Sequence, residues 1–168
     1  MKRQIRRNVF ESNSSSMHSL SISTNDVWDT LEVDRCENKV ITEFGEFGWE
    51  IRNYRDAATK LSYIVTMLAE THSDCCSMEE LEETEDFQLI NATVAEYCHC
   101  DGILINNNIV YGGEYEWNGQ IWKYNDHEGY IDHQSVMKIK ELLDEYGCTM
   151  EEFIFNTGVV LHTDNDNH

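Results

Sequence analysis

Two sets of thiol and imidazole groups carry the most specific chemistry in this chain. His72, Cys75 and Cys76 fall in one short stretch, and Cys98, His99 and Cys100 in another. Thiolate and neutral imidazole are the donors that zinc prefers. The two sets bracket a helix expected over about residues 79–97. Unbroken, that helix is about 28 Å long, too long for both ends to reach one zinc at about 2.0–2.3 Å. A single site therefore requires a break near Thr84. Otherwise Cys98 and Cys100 take other partners, first among them His127 and His133 of "NDHEGYIDHQS". The expected ligands are Cys75, Cys76, Cys98, His99, Cys100 and His133, around a structural zinc. Adjacent cysteines rarely share one metal, and buried or idle thiols are the alternative.

Other groups are weaker. Ser14, Ser15 and Ser16 precede His18, a pairing that invites a nucleophile, but there is no G-x-S-x-G elbow. A polar loop and a packed histidine are expected there, with His18 a further metal donor as the alternative. Asp126, His127, Asp132, His133, His162, Asp164 and Asp166 offer oxygen and imidazole donors. They support an alternative function, a metal-dependent hydrolase using His18, His127 or His133. Neither H-E-x-x-H nor EF-hand spacing is present, and Asp132 with Ser135 reads better as a helix cap.

The charge balance sets the partner class. Twelve Lys and Arg stand against 32 Asp and Glu, a net charge of −20. Lys2, Arg3, Arg6 and Arg7 fall in the first seven residues. Between Glu70 and Asp101 there are ten acidic residues and no Lys or Arg. Such a surface repels a phosphate backbone and an anionic membrane. It attracts a basic protein groove, with fast, salt-sensitive association. Glu79, Glu80, Glu82, Glu83, Glu85 and Asp86 are the expected contacts, and solubility alone is the competing explanation. "MKRQIRRNVF" has the positive start of a signal peptide without the apolar run, and no stretch is long enough to span a bilayer. A cytoplasmic location is expected, with thiols rather than disulfides.

These residues need elements to position them. With 168 residues, one domain is expected, residues 1–168, with a basic start and polar loop over 1–16 and a frayed tail over 164–168. Strands are expected at 3–6, around Leu20 and Ile22, and on either side of a turn over 38–52, a stretch that includes Val40, Phe44, Trp49 and Ile51. Asp56 caps a helix over 56–70. Residues 102–111 form two short strands around "NNN". "EYEWNGQIWKY" is a hairpin about a type I′ Asn118-Gly119 turn, with Tyr115, Trp117, Trp122 and Tyr124 on one face, expected to pack into the core. A third helix covers about 135–146, a short one 149–155, and a last strand 158–163. Strands and helices that do not alternate strictly give an α+β fold, mainly antiparallel, with about three helices.

"QIRRNVFESNSSSMHSL", "GYIDHQS" and "FIFNTGVVLHTDND" resemble recurring blocks of small proteins from phages and mobile elements of low-GC Gram-positive bacteria. Small acidic phage proteins of this size include type II anti-CRISPR inhibitors, some of which carry zinc. The resemblance implies an inhibitor of the type II RNA-guided DNA nuclease, acting in the bacterial host cytoplasm without touching nucleic acid itself. It supplies no matched binding residues.

Overall fold

Turn residues and alternation cut the first third of the chain into short strands: β1 (Met17–Ile22), β2 (Val33–Asp34), β3 (Lys39–Thr42), β4 (Glu46–Phe47) and β5 (Arg52–Tyr54). Helices α1 (Ala57–Thr71), α2 (Met78–Glu82) and α3 (Glu85–Cys98) follow, then β6 (Ile103–Ile105), β7 (Ile109–Trp117), β8 (Gln120–His127) and β9 (Tyr130–Ile131). The chain closes through α4 (Ile139–Tyr146), α5 (Met150–Phe155) and β10 (Val159–Asp164). The computed structural model describes residues 17–23, 27–48, 50–132 and 138–164. The expected strand at 3–6, the serines at 14–16, Trp49, His133, Ser135, Val136 and Asp166 lie outside them.

The fold is α+β, with small, mostly antiparallel sheets. β10 lies between β1 and β5, antiparallel to both, with Leu20 opposite Leu161. β3 lies between antiparallel β2 and parallel β6. β4 and β9 pair in parallel, and among the described residues β7 pairs with β8 alone.

The sheets meet around α1. Asp56 caps its start, accepting from the Thr59 amide at 2.8 Å. Leu61, Ile64, Val65 and Leu68 are almost fully buried, so the helix is enclosed on most of its circumference rather than along one stripe. Polar groups trapped there are satisfied. Lys60 Nζ donates to the Asn156 and Val159 carbonyls at 2.9 and 3.1 Å. Thr66 Oγ1 donates to the Ser62 carbonyl and accepts from the Gly45 amide.

Several expectations need correction. The helix expected over 79–97 breaks where Thr84 caps α3, accepting from the Phe87 amide at 3.2 Å. Glu85 and Asp86 then fill the first turn, where carboxylates suit the helix dipole. Strand-turn-strand over 38–52 is instead β3 and β4, which join different sheets, and Ile51 is exposed. The cap expected of Asp132 with Ser135 runs into residues outside the described ones. α4 starts at Ile139, with Lys138 at its N-cap and no side-chain cap. The short helix has the full capping box, Thr149 with Glu152.

The largest correction concerns the hairpin. Its register is the expected one, Tyr115 opposite Trp122 and Trp117 opposite Gln120. Asn118 and Gly119 take φ of 53° and 76°, the two positive values a type I′ turn requires. Its aromatic face is not core. Tyr115, Trp117, Trp122 and Tyr124 are 53, 66, 47 and 42% exposed, because no third strand among the described residues extends this sheet and no helix covers it.

Candidate functional site

The loop that leaves α1 gathers donor atoms. His72 is the C-cap of the helix, its amide donating to the Leu68 carbonyl at 3.0 Å. The Cys75 amide returns to the His72 carbonyl at 2.9 Å, closing a tight turn. Within that turn one donor atom each from His72, Asp74 and Cys75 lies within 4.8 Å of the others. His72 Nε2 is 2.9 Å from Asp86 Oδ2 in the first turn of α3. A metal-bound imidazole commonly has its other nitrogen held by a carboxylate, and Asp86 provides one. The nitrogen, oxygen and sulfur donors suit a zinc-like cation. Burial first, then the neighbouring Asp74, Glu80 and Cys76, push the Cys75 thiol above its usual range.

Of the expected ligands, only Cys75 belongs to this group. Cys76 turns away, with Sγ 3.5 Å from the Asp74 carbonyl and its amide donating to Glu80 Oε2. Cys98, His99 and Cys100 close α3 at its far end. His99 is an exposed left-handed cap with φ of 55°, and Cys100 Sγ lies near the Gly102 carbonyl. The break at Thr84 occurs but does not join the two sets. The His72–Asp86 contact pins the first set at the start of α3, and its last residue is about 18 Å further on. Asp74 was not anticipated, although it lies between His72 and Cys75 in sequence. Asp86, expected to face a partner, faces His72.

The acidic segment runs directly out of this loop. Ser77 caps α2, accepting from the Glu80 amide. Glu79, Glu80, Glu82, Glu83 and Glu85 are exposed, and none has a Lys, Arg or His ion partner among the described residues.

The hairpin is fastened to the same loop. The Asn125 amide donates to the Ser73 carbonyl at 2.7 Å. Its side-chain Nδ2 donates to the carbonyls of Ala69 and His72 at 3.3 and 3.2 Å, closing the C-terminal end of α1. Asn125 Oδ1 then accepts from His127 Nδ1 at 3.0 Å. His127 Nε2 is buried without a hydrogen bond, 3.9 Å from Glu70 Oε1. Burial lowers the pKa of this imidazole, against the pull of Glu70 and Asp126.

The remaining histidines are engaged elsewhere. His18 Nδ1 meets the buried Tyr63 hydroxyl at 2.9 Å. His162 lies between Ser21 and Asn53 on the β1–β10–β5 sheet. Among the described residues, His18 and His127 join no group of three metal donors. An open depression lined by Ile41, Thr42, Glu43, Ser62 and Asn106 lies apart from the donor group and contains one ionisable side chain. No helix among the described residues is long and apolar enough to cross a membrane. The chain matches no protein-family model, no curated protein and no solved structure.

Proposed function

We propose that this protein binds and inhibits a basic, nucleic-acid-handling protein, using the acidic α2–α3 segment as its contact. The observation that carries this is the run of exposed carboxylates, Glu79, Glu80, Glu82, Glu83 and Glu85, with no cation paired to them among the described residues. Uncompensated charge beside a net −20 speeds encounter with a basic groove and rejects nucleic acid. The type II CRISPR effector nuclease is the first partner to test, since it holds its heteroduplex in a positive channel and the sequence resemblance points the same way. The inhibitor acts in the bacterial cytoplasm.

A zinc held by His72, Asp74 and Cys75 forms part of this reading. It would fix the turn from which α2 starts and to which the hairpin is tied. Elemental analysis of the purified protein tests it: about one zinc per chain is expected, lost in Cys75→Ser. A metal-free wild-type protein removes the zinc and leaves the docking proposal standing.

The docking proposal is tested by pull-down with the nuclease and by DNA cleavage over a salt series. Cleavage should be blocked at low salt and recover as salt rises. Undiminished cleavage with excess protein at low salt ends the idea. Three donors leave one coordination position open, which is the observation behind a second reading, a metal-dependent hydrolase. That reading requires a turnover that chelation abolishes.

A further inference from the structure

We propose that the β7–β8 hairpin is a docking element for arginine side chains of a basic protein segment. The proposal rests on the function proposed above and names the chemistry its partner presents. Four aromatic rings share one hairpin face, and all four are more than 40% exposed. Contiguous exposed apolar surface on a protein marks an interaction site. Isolated two-stranded hairpins are marginal in water, yet this one is tied at its base by Asn125 and braced within. A side-chain carbon on Gly112 or Gly113 would lie 2.9 or 2.7 Å from atoms of Tyr124, so the two glycines make room for that ring. Tyr115 lies beside it, with centroids 6.3 Å apart. Toward the tip, Trp117 and Trp122 have no ring partner among the described residues and keep much of their surface exposed.

Charge selects the occupant. A second copy would bring another −20 against −20, and a nucleic acid or anionic lipid surface would add phosphate to the same field. A cationic segment is drawn in. The opposite hairpin face carries Glu114 and Glu116 against a single Lys123, with the exposed Ile121 among them, so the hairpin itself is net acidic. Arginine fits this combination better than lysine. Its planar, weakly hydrated guanidinium stacks on aromatic faces and pairs with carboxylates through a fork of donors. Tryptophan is also the residue type most enriched among binding hot spots.

The test measures fluorescence anisotropy of labelled poly-arginine and poly-lysine peptides of equal length, at low salt. Wild-type protein should bind poly-arginine more tightly. Trp117→Leu/Trp122→Leu keeps the apolar bulk, removes the indole faces and sits at exposed positions that folding does not need. It should weaken poly-arginine binding about fivefold to thirtyfold, as expected for two exposed cation–π contacts, and leave poly-lysine binding nearly unchanged. Glu79→Gln/Glu80→Gln/Glu82→Gln should weaken both peptides alike. If the tryptophan variant binds both peptides as wild type does while the glutamine variant loses both, the hairpin proposal falls and the acidic docking surface stands. If wild type binds neither peptide, both fall. Sedimentation showing a wild-type dimer that the tryptophan variant lacks would assign the hairpin to self-association instead. Binding of an oligothymidine that the tryptophan variant loses would likewise overturn the proposal.

Discussion

Helix α1 and the β7–β8 hairpin contain similar kinds of large side chain and use them in opposite ways. Around α1, Ile64, Val65 and Leu68 are sealed off and Tyr63 is 2% exposed. On the hairpin, Tyr115 and Trp117 are more than half exposed. The difference lies in the neighbours. α1 packs against α3, α4, α5, β3 and β9, whereas β7 and β8 have chiefly each other. An apolar face becomes core only when another element covers it. Left uncovered, it is surface available for binding, and Asn125 is where the two regimes meet.

The largest contrast should appear on truncation. Phe153 is fully buried beside α1, with its ring centroid 6.5 Å from that of Tyr63. Phe153→Ala should cost about 3–5 kcal/mol of unfolding free energy. Trp117→Ala removes a larger ring yet should change stability by no more than about 0.5 kcal/mol. Urea denaturation of both variants checks the pair. Comparable losses would mean that the hairpin face is packed after all.

The second contrast concerns Lys60. Burial pushes its ammonium down to about 8. In the unfolded chain it titrates near 10.4. Between these values the unfolded state holds a proton that the folded state has released. Stability attributable to Lys60 therefore rises with pH across that window, while below about 8 the burial penalty is carried in full. A neutral amine still has two hydrogens for the Asn156 and Val159 carbonyls. Relative to Lys60→Met, wild type should gain on the order of 2–3 kcal/mol from pH 8 to 10.5. Cys148, whose thiol burial raises to about 11, opposes this in both proteins and, apart from its minor coupling to Lys60, cancels in the comparison. Parallel pH profiles would show that Lys60 is not buried as described.

The joint comes next. Asn125→Ala removes two caps from the end of α1 and the acceptor for His127 Nδ1. A cost of about 1–2 kcal/mol is expected. Hydrogen exchange should show it mainly at β7 and β8 rather than in α1. Loss spread evenly through α1 would mean that the hairpin is not a separate unit.

Local features were legible in the sequence and distant ones were not. Asp56 announced α1 because a cap bonds three residues away, and Asn118-Gly119 fixed the hairpin register for the same reason. Alternation showed which side chains share a hairpin face, but coverage depends on elements elsewhere in the chain. The parallel pairing of Glu46 with Tyr130 has no local signature. At the donor group, Cys75 was legible as a candidate metal donor. Cys98 and Cys100 looked more specific than Asp74, yet the fold sets them at the far end of α3 from this group and puts Asp86 on His72.

The smallest effect tests the same joint by acid. His127 is held neutral by burial, whereas an exposed histidine titrates near 6.5. Below that value the unfolded chain takes up a proton that the folded chain resists. Stability due to this group is thus complete above about pH 6.5 and is lost as pH falls toward its depressed folded pKa. Glu70 and Asp126 oppose burial, so the loss should be modest. His127→Gln should show a flatter stability profile than wild type between pH 7.5 and 5, read as a difference so that other histidines cancel. The reverse slope, with wild type gaining on acidification, would mean that Nε2–H closes the 3.9 Å gap to Glu70. Acid would then tighten the hairpin onto α1 rather than loosen it, and the contrast between sealed helix and loosely tied hairpin would hold only near neutral pH.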